Sequence, residues 1–437
     1  MAPPHPHPTH APILEPALVV ILAGVCAALH VGKLPPAVPV LQEALAITLV
    51  QAGFLLSMVQ LAGMSAGVAF GALADGLTPR RSMLLGLSVL ALASAAGGAA
   101  PGVAWLMLLR ACEGFGFLLV VLAAPALIRR LVAPERMSLV MGLWGAYMPL
   151  ATTLALLAGP WVLAGLGWRA WWWLLAAVCA AMALWLSRAV PASAARGASV
   201  APVAPAADAG TAASAAMPSL WKRLARTLAA PGPWLLAMAF AVYAAQWMAV
   251  IGFLPTIYAQ GGTALAEAGL LTAAAAAVNM LGNIGAGRAL HAGVSPVRLL
   301  VVGFAAMGLG ALLAFVAWPG AAPAAAPQPV LPAALRFAAL LLFSGFGGLI
   351  PGTLFALAVR LAPGEGTLST TVGWMQQGSA FGQFTGPPLV AWVAARVGGW
   401  HLSWLATGVC ALSGLALAGL LARHLRLRAS PSAVPTR

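Results

Sequence analysis

Four ionisable side chains lie deep inside long apolar stretches of this 437-residue chain: His30, Lys33, Arg110 and Glu113. A charge at the centre of a bilayer costs at least about 2.5–3.5 kcal/mol, so it persists where it faces a partner or a cavity. His30 and Lys33 are three residues apart, as are Arg110 and Glu113. That spacing puts each pair on one face of a helix. Two cations against one carboxylate suit the capture of an anion. Lys33 and Arg110 would attract a carboxylate or similar group, and Glu113 or His30 would carry a coupled proton. A structural alternative uses the same residues. Arg110 and Glu113 would brace the helices, and Lys33 would snorkel to the membrane surface near Pro35.

The second half of the chain offers neutral polar groups instead. These are Tyr243, Gln246, Trp247, Asn279, Asn283, Gln376, Gln377 and Gln383. Tyr243 and Trp247 share a helix face, as do Asn279 and Asn283. Amides and aromatic rims suit hydrogen bonding to a small ligand. The same groups also serve as glue between helices. Tyr258 is placed to close a site from outside. Nothing in the sequence points to catalysis. No G-x-x-x-x-G-K-[ST] phosphate loop is present, so energy must come from an ion or solute gradient. No metal spacing occurs in the apolar runs, and no cofactor is implied. Cys26, Cys112, Cys179 and Cys410 form no C-x-x-C pair and read as small apolar residues.

The elements that carry these residues are twelve apolar runs. They cover residues 14–36, 46–73, 82–100, 103–129, 137–163, 169–187, 232–258, 266–290, 296–318, 333–359, 368–395 and 400–422. About 20 apolar residues cross a bilayer. The chain is 62% hydrophobic and 7% charged, with a mean hydropathy of +0.97, too little charge to cover a soluble surface. Continuous runs without alternation exclude a β-barrel. The first run lacks a basic n-region and a cleavage site and reads as a retained span. The predicted fold is an all-α membrane protein of two six-helix bundles. Its parts are a tail at 1–13, a first bundle at 14–189, a linker at 190–231, a second bundle at 232–422 and a tail at 423–437.

The net charge of +14 is read as topology rather than nucleic-acid binding. Most of the 22 Lys and Arg residues fall in even-numbered connections and the C-terminal tail, whereas the odd-numbered connections hold only Arg169, Arg336 and Arg396. By the positive-inside bias, both termini are cytoplasmic. The segment 219–228 (SLWKRLARTL) is basic and amphipathic and is expected on the cytoplasmic lipid surface. Trp171 to Trp173 and Trp400, near span ends, are expected as interfacial anchors. Gly63, Gly67 and Gly71, and Gly345 to Gly352, suit close helix packing.

The second six runs echo the first. Leu34-Pro35 answers Leu254-Pro255, Gly114-Phe115-Gly116 answers Gly345-Phe346-Gly347, and Gly159-Pro160 answers Gly386-Pro387. Gly71-x3-Asp75 with Pro79 and Arg81 answers Gly287-x3-His291 with Pro296 and Arg298. Gly167-Trp168 answers Gly399-Trp400. Matches in the same order at similar offsets indicate duplication of a six-span unit, the pattern of transporters built from two bundles.

Residues 71–81 (GALADGLTPRR) resemble the G-x-x-x-D-R-x-G-x-R-R signature of the major facilitator superfamily, departing at Gly76 and Thr78. Arg110-Ala-Cys-Glu113-Gly114 resembles its R-x-x-Q-G motif, with Glu113 replacing Gln. Gly382-Gln-Phe-Thr-Gly386-Pro387 resembles a G-x-x-x-G-P motif. The segment His30-Val-Gly-Lys33-Leu-Pro35-Pro36 resembles the cyanate and nitroimidazole transporter branch. The resemblance implies a rocker-switch transporter, a monomer, in a bacterial inner membrane among lipids. It implies that Asp75, Arg80 and Arg81 form a charged latch between the bundles. Proton-coupled movement of a small anionic solute is the expected activity. The alternatives are a proton-coupled exporter of neutral or cationic compounds and a solute sensor that moves nothing.

Overall fold

A computed structural model gives the fold and describes residues 14–65, 78–191, 220–318, 328–364 and 366–429. Asp75, Gly67, Gly71, most of the linker and residues 1–13 and 430–437 lie outside the described residues, and the last helix runs on to Ala429, into the predicted C-terminal tail. Among the described residues, nine helices are long and apolar enough to cross a membrane. One of them, Tyr147–Ala189, folds two crossings about Gly167, whose φ of +78° suits glycine. The segments Leu49–Ser65 and Leu368–Val397 complete a set of twelve.

Span 1 runs from Leu14 to Gly32 and restarts as Leu34–Leu45, nine residues beyond its predicted end. Pro35 and Pro36 open the second piece, and Pro39 lies inside it. Each proline removes a main-chain donor, so carbonyls around the break are freed for side chains. Span 2 starts at a capping box, in which Thr48 Oγ1 accepts from the Gln51 amide and Gln51 Oε1 accepts from the Thr48 amide. Span 3 is Pro79–Gly98 and span 4 is Val103–Leu131. Span 5 begins as Pro134–Gly145, breaks at Ala146, and continues into the long helix whose later part is span 6. A short surface helix, Leu220–Ala229, precedes span 7 at Pro231–Gln260.

Spans 8 and 9 are Leu265–His291 and Pro296–Phe315. The connection after span 9 contains a two-residue ribbon, Ala317–Trp318 against Gln328–Pro329. Span 10 is broken at Gly348 into Ala333–Gly347 and Leu349–Leu361. Spans 11 and 12 are Leu368–Val397 and Ser403–Ala429. Proline opens spans 3, 5, 7 and 9 at the first helical turn, where its missing donor costs nothing.

Each half has its own core. Val20, Leu87, Val120 and Leu127 anchor one, and Phe240, Leu300, Phe304 and Leu357 the other. Glycine sets the closest approaches. A Cβ on Gly282 of span 8 would lie 1.9 Å from the Gly345 carbonyl oxygen of span 10, and one on Gly348 would lie 2.1 Å from that of Asn279. Gly378, Gly382 and Gly386 press span 11 against the Ala237, Ala241 and Ala245 carbonyls of span 7. Such small-residue seams let helix backbones meet.

With twelve crossings, the start of span 1 and the end of span 12 lie on one membrane face. The halves are sealed together on the opposite side. There Leu34, Leu41, Leu55 and Leu56 share one apolar cluster with Phe253 and Ala391 of the second half. Phe253 packs against Trp400 with ring centroids 5.0 Å apart. Gly53 abuts Pro388, and Gly269 abuts the Leu156 carbonyl and Pro160.

Candidate functional site

The break in span 1 sets Lys33 opposite span 4. Its Nζ binds Glu113 Oε1 and lies 3.1 Å from Ser94 Oγ and 3.3 Å from His30 Nδ1. It also sits 4.6 Å from the centroid of the Trp172 ring, a cation–π distance. Arg110 Nη1 donates to Glu113 Oε2 at 2.5 Å and to the His30 carbonyl at 2.6 Å, and its Nε donates to the Leu55 carbonyl at 3.3 Å. Glu113 therefore holds a different cation on each oxygen. His30 Nδ1 lies 3.4 Å from Glu113 Oε1, and its Nε2 lies 3.2 Å from Cys179 Sγ. All four residues are at most 1% exposed.

The cluster is built by four spans and a freed main chain. Span 1 supplies His30 and Lys33, span 3 supplies Ser94, span 4 supplies Arg110 and Glu113, and span 6 supplies Trp171 and Trp172. Trp171 Nε1 donates to the Lys33 carbonyl at 3.1 Å, next to the proline break. Ser94 Oγ donates to the Trp172 carbonyl at 2.9 Å while receiving Lys33. Two cations face one carboxylate, so the cluster carries one surplus positive charge with His30 neutral. Arg110 Nη2 is buried without a partner. A buried donor without an acceptor is costly.

Two sequence expectations are corrected here. Lys33 does not snorkel, because Glu113 pulls its ammonium inward and the chain is broken beside it. Trp171 and Trp172 are not interfacial anchors, being 2% and 0% exposed and committed to Lys33; Trp173 alone of the three is half-exposed. The predicted Arg110–Glu113 pair is present, within a larger set.

The neutral groups of the second half form a separate network. Asn279 Nδ2 donates to Tyr243 Oη at 3.1 Å and to the Ser344 carbonyl at 2.8 Å. Asn283 Nδ2 donates to Asn279 Oδ1 at 3.1 Å, and Trp247 Nε1 donates to Ser344 Oγ at 3.1 Å. Spans 7, 8 and 10 are thus tied together. Gln246 is not brought to this network. It shares a groove with residues of spans 11 and 12, whereas Trp247 lines a small inter-half cavity of about 20 Å3 with Val31, Pro35, Met148 and Gln383. That cavity has room for about one water molecule.

Among the described residues, Gln60 and Gln377 link spans 2 and 11. Gln60 Nε2 donates to Gln383 Oε1 at 2.9 Å, and Gln377 Nε2 donates to the Met64 carbonyl at 2.8 Å. Gln376 is half-buried nearby. Gln60 was missed in the sequence, although a glutamine within an apolar run was the signal available. Tyr258 is half-buried near the sealed end of span 7. Arg80 does not reach across to the second half: its Nε and Nη2 donate to the Val190 and Ser187 carbonyls at the end of span 6. Arg81 is exposed, and its amide donates to Thr78 Oγ1. The predicted partner Asp75 lies outside the described residues.

The described spans form a two-bundle helical membrane fold with a buried ionic cluster in one half. The Major Facilitator Superfamily profile matches residues 20–363, and the chain belongs to that superfamily. It is a multi-pass membrane transporter and not an enzyme. Among solved structures it is similar to a bacterial homolog of the human lysosomal transporter Spinster. In the inward-facing, unoccupied conformation the TM-score is 0.70 at 15% identity, covering 94% of this chain and 97% of that one. In the inward-facing, occupied conformation it is 0.68 at 15% identity, covering 93% and 96%. At that identity the likeness concerns the fold alone. A comparison with curated proteins gives no match.

Proposed function

We propose that this transporter moves a small organic anion together with a proton, by rocker-switch alternating access in a bacterial inner membrane with both termini cytoplasmic. The observation that carries this reading is the surplus positive charge around Glu113, with Arg110 Nη2 unpartnered beside it. In the state described, Glu113 is the anion that Lys33 and Arg110 hold. Protonating Glu113 would release both cations, and a substrate carboxylate would take its place. Proton and substrate would then bind as a pair, since a proton alone leaves Lys33 and Arg110 without a counter-anion and the substrate carboxylate fills the place the proton frees.

The seal away from the termini fits an inward-facing state under this orientation. Trp247, Gln376, Gln377, Asn283 and the Tyr243–Asn279 pair would contribute the second half's share of the solute site, with His30 as an accessory proton carrier and Tyr258 as an outer gate. The His30–Pro36 segment's resemblance to the cyanate and nitroimidazole branch is in keeping with a small solute.

A second reading has one observation in its favour. The inter-half cavity is lined mainly by apolar side chains, with Val31, Met148 and Ile251 beside Trp247. This would suit export of neutral or cationic compounds, with Glu113 as the receptor for the cation.

Uptake in proteoliposomes decides between them. The anion reading expects Lys33→Ala and Arg110→Ala each to abolish anion uptake with the protein still folded. It expects Glu113→Gln to lose pH-dependent net uptake while retaining anion exchange. Full anion uptake in both cation variants would defeat it, and efflux of lipophilic cations governed by Glu113 alone would favour the second reading.

A further inference from the structure

A second polar side chain is buried without partners, away from both the ionic cluster and the inter-half interface. Gln246 is 1% exposed, and neither Oε1 nor Nε2 meets a hydrogen-bond partner. It lines a groove of about 160 Å3 between spans 7, 11 and 12. The other walls are small or apolar, including Ala241, Ala406 and Cys410. Thr385 and Thr407 also line it, but each donates its hydroxyl proton to a carbonyl of its own helix, at 2.9 Å to Phe381 and 3.2 Å to Ser403. Phe381 and Leu389 at the rim are 53% and 49% exposed, so the groove opens sideways into the acyl chains.

A carboxamide offers two donors and an acceptor, and leaving them unpaired in an apolar site is unfavourable. Gln246 stands near the middle of span 7, where acyl chains supply neither donor nor acceptor. The lining holds no charged side chain, which excludes an ionic headgroup. One group that both gives and takes a hydrogen bond, attached to a hydrocarbon body, meets every feature of the groove. We propose that this groove binds uncharged lipophilic alcohols from the bilayer, the hydroxyl paired with Gln246 and the chain lying over Phe381 and Leu389. The site is separate from the proposed transport path and does not depend on the nature of the solute.

The test is photolabelling of the full-length protein in liposomes with diazirine-bearing octanol and, in parallel, diazirine-bearing octane. The alcohol probe should label groove-lining peptides of spans 7, 11 and 12. Octanol should displace that labelling at a concentration at least about fivefold lower than octane requires, the scale of one restored buried hydrogen bond. Gln246→Leu should lower alcohol labelling similarly and leave alkane labelling unchanged. Equal labelling and equal competition by alcohol and alkane would overturn the proposal and mark ordinary lipid contact. Alcohol labelling unaffected by Gln246→Leu would overturn it too, leaving water as the partner of the carboxamide. The competition arm uses unaltered protein, so it decides even where the variant folds poorly.

Discussion

Glu113 neutralises two buried cations with two oxygens, so its removal is the most disruptive single change in the cluster. Glu113→Ala should lose about 3–5 kcal/mol of stability, because Lys33 and Arg110 are left buried and uncompensated. Adding Lys33→Met to that variant removes one of the two stranded charges and should restore part of the loss. Melting in detergent checks this, and equal melting of both variants would show that the pairing carries no stability. Trp171→Phe should cost about 1 kcal/mol by stripping the donor from the Lys33 carbonyl. The four ionisable residues were legible in the sequence because charge inside an apolar run is conspicuous. Their mutual arrangement was not. Helical spacing relates His30 to Lys33 and Arg110 to Glu113, but it says nothing of contacts between helices 80 residues apart. The same limit made Trp171 and Trp172 read as surface anchors, since nearness to a span end is visible in a sequence and the facing helix is not.

Among the elements, span 8 provides its own control for the packing argument. Gly282→Val places carbon against a carbonyl oxygen that cannot move aside, whereas a Cβ on Gly287 meets nothing within 4 Å. Gly282→Val should therefore abolish a monodisperse size-exclusion peak, and Gly287→Ala should leave it unchanged. A folded Gly282→Val protein would mean that spans 8 and 10 have freedom to part. The existence and order of the spans followed directly from hydropathy, and the Gly345 to Gly348 seam from small-residue spacing. The seam at Gly378, Gly382 and Gly386 has the four-residue spacing of the Gly63, Gly67 and Gly71 stripe but was masked by the G-x-x-x-G-P motif that shares its residues. The extension of span 1 to Leu45 was hidden by three prolines, which usually end helices. Here Pro35 and Pro36 open a new one, Pro39 lies within it, and the interruption presents the Lys33 carbonyl to Trp171.

For the whole molecule, the seal between Leu56 and Gly252 gives a direct test of movement. A Cβ on Gly252 would sit 3.9 Å from Leu56 Cγ. In a background lacking the four native cysteines, Leu56→Cys with Gly252→Cys should cross-link under oxidation. Transport should then stop and return on reduction; full flux through the cross-linked protein would show that this seal never opens. Two-bundle architecture was readable from the internal repeat, but which ends of the bundles meet was not, because hydropathy does not say which helices face one another across the halves. One asymmetry reaches further. Among the described residues, every buried charged side chain belongs to the first half. If the anion exchanges places with Glu113, that half holds the same charge empty as it does loaded with one proton and one monovalent anion. Membrane voltage would then bias the rocking equally in both legs of the cycle and do no net work. Accumulation would follow the pH difference alone, and a potassium diffusion potential imposed with valinomycin would leave the final solute ratio unchanged.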